Sequence, residues 1–229
     1  MKKYIALLVL AVFLAGGAFS AVSASAAPGK KPQGEALSGI PAGELTEVET
    51  QGLLLMREEE KLAMDLYRAL GEKWGLRIFS SIAESEQQHT NSVKLLLDRY
   101  GLEDPAEGKK AGEFSSPDLQ KMYDELLAKG NQSMADALKV GALVEEMDIR
   151  DLREAMESTQ KEDLRMVYRN LERGSINHLS AFGKQLARES IRYEARYLSQ
   201  SEADAIMNSS SGRGSGRNQP QGQGGRWKK

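Results

Sequence analysis

"IAESEQQHTNSVKLL", residues 82–96, sets Ile82, Glu86, His89, Val93 and Leu96 at spacings of four, three, four and three. Those steps stay on one face of an α-helix, so a glutamate and a histidine share a stripe with apolar side chains. A helix that buries this stripe buries both polar groups with it. Inside a protein such groups are costly unless they are paired or bound to a metal. The stretch therefore demands partners at the same level on neighbouring helices.

Between residues 46 and 188 nearly every segment reads with helical periodicity, and none alternates like a strand. The capping box Thr46/Glu49 opens a first helix that reaches about Lys73, and a second runs from Arg77 to Tyr100, stopped by Gly101. After a loop over residues 101–115, Pro117 begins a short helix that Gly130 terminates. A third long helix starts at Ser133 and a fourth spans about Lys161 to Arg188. "YEARYLSQSEADAIM", residues 193–207, adds an extended piece and a short helix. Two pairs of long helices around a longer connection predict an all-α four-helix bundle with a short helix in the connection and another at the C-terminal end.

The ends of the chain read differently. Residues 1–26 carry Lys2 and Lys3, an apolar stretch from Tyr4 to about Leu14, and the small-x-small close Ala24-Ser25-Ala26. This is the pattern of a secretory signal cleaved near Ala26, which predicts export to the periplasm, the cell surface or the medium. Residues 27–45 are Pro/Gly-rich and read as a flexible linker, leaving 46–207 as the bundle. Residues 208–229 hold five basic residues and no acidic ones, and read as a disordered basic tail. Such a tail is suited either to plain solvation or to weak contact with anionic surfaces. Without residues 1–26 the formal charge goes from −2 to −4, and without the tail's +5 the bundle stands at −9. An acidic bundle argues against nucleic-acid binding. The chain has no cysteine, which excludes disulfides and disfavours sites for soft metals.

The fourth helix sets Leu171, Ser175, His178 and Phe182 on one stripe, so both histidines of the chain face inward. On the third helix Glu145 has the more apolar surroundings, including Leu138, Ala142, Ile149 and Leu152, and Glu146 is the alternative, closer to Arg150 and Arg153. On the first, periodicity does not separate Glu59 from Glu60; of the run Glu58-Glu59-Glu60, one is expected inside and the others solvated. One carboxylate from each of two helices, with Glu-x-x-His on the other two, is how a bundle holds two metal ions. Oxygen and imidazole donors suit iron or manganese.

"EKLAMDLY", residues 60–67, resembles the Glu-x-x-Ala-x-x-x-Tyr first-helix signature of ferritin-like di-iron proteins such as rubrerythrin, which favours Glu60. Together, "MREEEKLAMDLY", "EKWGLRIFSSIAESEQQH", "GALVEEMDI", "NLERGSINHLSAF" and "YLSQSEADAI" resemble the ferritin-like family called domain of unknown function 2202, over roughly residues 46–206. The resemblance implies a metal set of Glu60, Glu86, His89, Glu145 and His178. It departs from the ferritin pattern at Ser175, where a glutamate is expected three residues before His178. Manganese catalases, which are similar bundles, also use three glutamates and two histidines. Tyr67 is either a core tyrosine or a hydrogen-bond partner of the site.

The expected function is thus that of an exported protein with two iron or manganese ions, acting in redox chemistry on O2 or peroxide or in metal handling. The activity stays open between ferroxidase-, peroxidase- and catalase-like reactions, and homo-oligomers are compatible with the sequence. The alternative is a non-catalytic structural or binding module at the cell surface with a degenerate metal site.

Overall fold

The computed structural model describes Leu37 and residues 39–209. The expected secretory signal and nearly all of the expected basic tail lie outside the described residues. Six helices make up the described fold, which has no strand: α1 (Glu47–Trp74), α2 (Arg77–Tyr100), α3 (Pro117–Gly130), α4 (Met134–Glu157), α5 (Glu162–Arg188) and α6 (Gln200–Met207). No helix among the described residues is long and apolar enough to cross a membrane.

Local chemistry sets the boundaries. At the start of α1 the Thr46 hydroxyl accepts from the Glu49 N–H while Glu49 accepts from the Thr46 N–H at 2.8 Å, closing the capping box. Gly75 and Gly101 end α1 and α2 in the left-handed conformation, each at φ 65°. Gly130 acts otherwise than as a stop. It is the last residue of α3 and is buried, and a Cβ there would lie 2.8 Å from Leu70 Cδ2, so glycine permits close packing of α3 on α1.

The bundle is built from two hairpins, α1 on α2 and α4 on α5, which meet through α1 with α4 and α2 with α5. Its interior holds two apolar clusters. One contains Leu66, Leu70, Phe79, Ile82, Leu138, Leu179 and Phe182, and the other Leu53, Met56, Val93, Leu96, Leu152, Leu164 and Leu171. The order in which each helix visits the two clusters gives its direction. α2 and α4 both run from the first to the second, so they are parallel, and residues 101–133 must cross the length of the bundle. That crossover carries α3, which covers α1 and α4.

Part of the expected linker is held in place. Leu37 is buried in the second cluster, Arg99 donates to the carbonyls of Leu37 and Ile40, and Tyr100 donates to that of Ala42 at 2.9 Å. Basic and hydroxyl donors on α2 thus satisfy backbone groups that a composition-based reading assigns to solvent.

Candidate metal centre

Between the two apolar clusters lies a layer of buried polar groups. Each long helix interrupts its apolar stripe at this level: Glu60 on α1, Glu86 and His89 on α2, Glu145 and Asp148 on α4, Ser175 and His178 on α5. All are buried, and Glu86 and Glu145 are wholly so.

Glu86 is the centre of the layer. Its Oε2 lies 2.7 Å from Nδ1 of His89 and its Oε1 2.7 Å from Nδ1 of His178. The row continues outward on both sides, with His89 Nδ1 3.2 Å from Glu60 Oε2 and His178 Nδ1 3.3 Å from Glu145 Oε2. The two rings face each other at 5.4 Å between centroids, tilted by 29°. Glu86, His89 and His178 each bring one ligand atom to within 4.8 Å of the others, a grouping able to hold a metal ion.

Of these contacts His89 with Glu60 is a hydrogen bond, while those of Glu86 with both rings and of His178 with Glu145 are ion pairs. Both oxygens of Glu86, Nδ1 of His178, Oε1 of Glu60, Oε2 of Glu145 and Oδ2 of Asp148 are buried without a hydrogen-bond partner. Buried polar atoms are nearly always satisfied, so several orphans in one layer require a reason. The grouping of Glu86, His89 and His178 is close enough for one cation to take a ligand atom from each.

The outer edges of the rings are fixed by different means. Nε2 of His178 is 2.9 Å from the Ser85 hydroxyl. Nε2 of His89 abuts Gly174, where a Cβ would come within 2.3 Å, so α5 can pass only as glycine. Both contacts aim Nδ1 into the layer, the role outer partners of a metal-ligating histidine play. Tyr67 donates to Oε1 of Glu145 at 2.6 Å and is fully buried, joining the two roles the sequence left open.

Electrostatics follow from this crowding. Burial works to lower His89 and His178, but the carboxylates of Glu60 and Glu86 lift the first to about 11, and those of Glu145 and Glu86 lift the second to about 10. Burial opposes ionisation of Glu86 too, yet the two imidazoles at its oxygens hold it well below the usual carboxylate range. Burial raises Glu60 to about 7 against the pull of His89. Glu145 is also raised by burial. Asp148 is raised well above normal, first by burial and then by the charges of Glu60, Glu145 and Glu86.

The residues expected at the site meet as follows. Glu60, Glu86, His89, Glu145 and His178 come together. Glu146 turns away, and its Oε2 accepts from the backbone N–H groups of Arg196 and Tyr197 at 2.8 and 2.9 Å, anchoring the C-terminal segment. Glu59 takes no place in the row; it is buried, with its Oε2 lacking a hydrogen-bond partner. The expectation that two of Glu58, Glu59 and Glu60 are solvated is corrected, because all three are buried. Successive residues turn by about 100°, and the crossover covers the side that would otherwise be open: Glu58 accepts from the backbone N–H of Ser115, and from that of Ser116 at 3.1 Å. Ser175 is buried, but its hydroxyl donates back to the Leu171 carbonyl at 3.2 Å.

Asp148 is the residue the sequence reading missed. It stands three residues after Glu145, as His89 stands three after Glu86, and that spacing was the available signal. It brings a fourth carboxylate to the layer from α4, where α5 offers only Ser175.

Fold and site thus define an all-α bundle with a buried carboxylate–histidine cluster able to hold metal. Residues 49–210 match the family described as "Uncharacterized protein domain (DUF2202)", and the chain belongs to that family. It is 45% identical over 183 residues to "Uncharacterized protein MJ0754" of Methanocaldococcus jannaschii, covering 80% of this chain and 99% of that protein. The crystal structure of hypothetical protein MJ0754 from Methanococcus jannaschii DSM 2661 superposes with a TM-score of 0.73 at 44% identity, covering 76% of this chain and 99% of that one.

Proposed function

We propose that this is an exported, ferritin-like protein whose mid-bundle layer holds two iron or manganese ions. The observation that carries the reading is the gathering of buried carboxylate and imidazole groups from four helices on one level, with Glu86, His89 and His178 close enough to share an ion. The crossover topology supports it, as does the distribution of a carboxylate on α1 and α4, Glu-x-x-His on α2 and a histidine on α5. Export rests on residues 1–26.

In this reading Glu60, Glu86, Glu145 and Asp148 supply oxygen donors, with Glu86 central between Nδ1 of His89 and Nδ1 of His178. Tyr67 fixes the carboxylate of Glu145, and Ser85 and Gly174 fix the two rings. The apolar clusters above and below exclude bulk water. Bound iron or manganese supplies one-electron redox chemistry towards O2 or peroxide. The protein's own part is to hold the ligands at fixed separation and to absorb the imidazole and carboxyl protons displaced on binding.

Metal analysis of the purified protein tests this. About two ions per chain are expected, falling below one in His89→Ala and in His178→Ala. Metal content that is low and indifferent to both substitutions would sink the proposal. Oxygen consumption on adding Fe(II), against oxygen release from peroxide, then separates ferroxidase-like from catalase-like chemistry.

One observation favours a second reading, a helical module at the cell surface that needs no metal. Glu60, His89, Glu86, His178 and Glu145 alternate in charge along their row, and position 175 carries no carboxylate. That reading expects the low, indifferent metal content.

A further inference from the structure

A ladder of carboxylates leads away from the layer. On α4, Glu145, Asp148, Asp151 and Glu154 follow one another at intervals of three residues. Three residues advance a helix by about 300°, so each step swings back by about 60° and the four side chains wind from the inner to the outer face. Exposure grades accordingly: Glu145 is fully buried, Asp148 is 5% exposed, and the side chains of Asp151 and Glu154 are 10% and 61% exposed. On α1, which packs against α4, Glu59 is 6% exposed and its Oε2 has no hydrogen-bond partner. After burial itself, the charge acting most strongly on Glu59 is that of Asp151, followed by Glu60. Glu59 directly precedes Glu60 of the central layer, and no hydrogen bond inside the fold accounts for its free Oε2.

One cation already occupies the outer rung. Arg150 holds Asp151 with two hydrogen bonds of 2.7 and 2.9 Å, reaches Glu154 at 3.9 Å, and lies 4.4 Å from the Tyr197 ring centroid. Its side chain remains partly exposed, so it can be displaced into solvent.

We propose that Glu59 and Asp151, with Glu154 at the mouth and Asp148 at the inner end, form an inlet through which divalent cations reach the metal centre, and that Arg150 is the group an arriving ion displaces. This rests on the metal-centre reading above. Acidic rungs at graded depth hand an ion inward without a full desolvation step. Burying a lone divalent ion without them would be prohibitive.

The test is the rate of Mn(II) uptake by the metal-depleted protein, followed by rapid mixing with a metallochromic indicator of the free ion. Glu59→Gln and Asp151→Asn should slow uptake roughly tenfold or more while leaving the final number of bound ions unchanged. Exposed Glu154→Gln, which does not threaten folding, should slow it less and flatten its dependence on salt. Arg150→Ala should accelerate it. Wild-type rates in all four variants would overturn the inlet while leaving the centre intact. Loss of bound ions at the endpoint in Glu59→Gln would make Glu59 a ligand and overturn the inlet as well. A wild-type protein that takes up no Mn(II) would instead refute the centre itself, and the inlet with it.

Discussion

At the scale of single residues, the proposed metal centre sets the stability of the empty fold against the affinity for an ion. Asp148 is buried and unpartnered on Oδ2, and its ionised form is opposed first by burial and then by the charges of Glu60, Glu145 and Glu86. Asp148→Asn removes a charge that the fold does not compensate, so it should stabilise the metal-free protein by about 1–3 kcal/mol and weaken Mn(II) binding. Urea titrations with and without the ion would show the sign reversing. Gly174→Ala should do the opposite of what helix propensity predicts. Alanine ordinarily gains about 1 kcal/mol over glycine in a helix, but here its Cβ would lie 2.3 Å from Nε2 of His89. The ring must move, and Mn(II) affinity should fall roughly 10- to 100-fold, as it does when a ligand's outer support is lost. Isothermal titration of the variant measures this.

At the scale of elements, the crossover is fastened by the same acidic run that supplies Glu60 to the polar layer. Glu58 accepts from the N–H groups of Ser115 and Ser116 just before α3, while Arg57 pairs with Asp104 at 2.9 Å. Glu58→Ala should cost about 1–3 kcal/mol by leaving those amides unsatisfied, and amide exchange at Ser115 and Ser116 should quicken more than in α2. This run also marks the limit of what could be read without coordinates. Periodicity placed Glu86, His89 and His178 inward because each sits on a stripe with Ile82, Val93, Leu171 or Phe182. It could not divide Glu59 from Glu60, which are only about 100° apart on a helix apolar on several sides. Nor could it show the outer covers, the 101–116 crossover over Glu58 and the C-terminal segment over Glu146. Helical period describes one helix against its core, and both covers depend on contacts more than forty residues distant. Asp148 was hidden for a different reason: it repeats the three-residue spacing of Glu86 and His89 but carries no histidine, the rare residue that marks the other two stripes.

At the scale of the whole molecule, the polar layer couples folding to pH. His89 and His178 keep their protons to about 11 and about 10, against an ordinary 6.5, and Glu60 to about 7 against 4.5. Above pH 4.5 the folded, metal-free chain therefore binds more protons at these groups than the unfolded one. Their contribution is complete below the ordinary values and declines with rising pH, through about 7 for Glu60 and through 10 to 11 for the histidines. Metal must expel the same protons, so its affinity rises with pH. The gain in melting temperature on adding Mn(II) should widen between about pH 6 and about pH 9, and binding near about pH 8 should release about two protons from the imidazoles. Calorimetry in buffers of different ionisation enthalpy counts them.

The two apolar clusters lie on either side of this layer, and groups from all four long helices stand between them. Each cluster draws on every long helix, so each end of the bundle has a core of its own. What joins the ends is a slab whose cohesion depends on charge. An ion bound in the proposed centre is therefore expected to govern cooperativity as well as stability. Chelator-treated protein should melt with a calorimetric enthalpy larger than the van't Hoff value, one end opening before the other, and the loaded protein should bring the two values together.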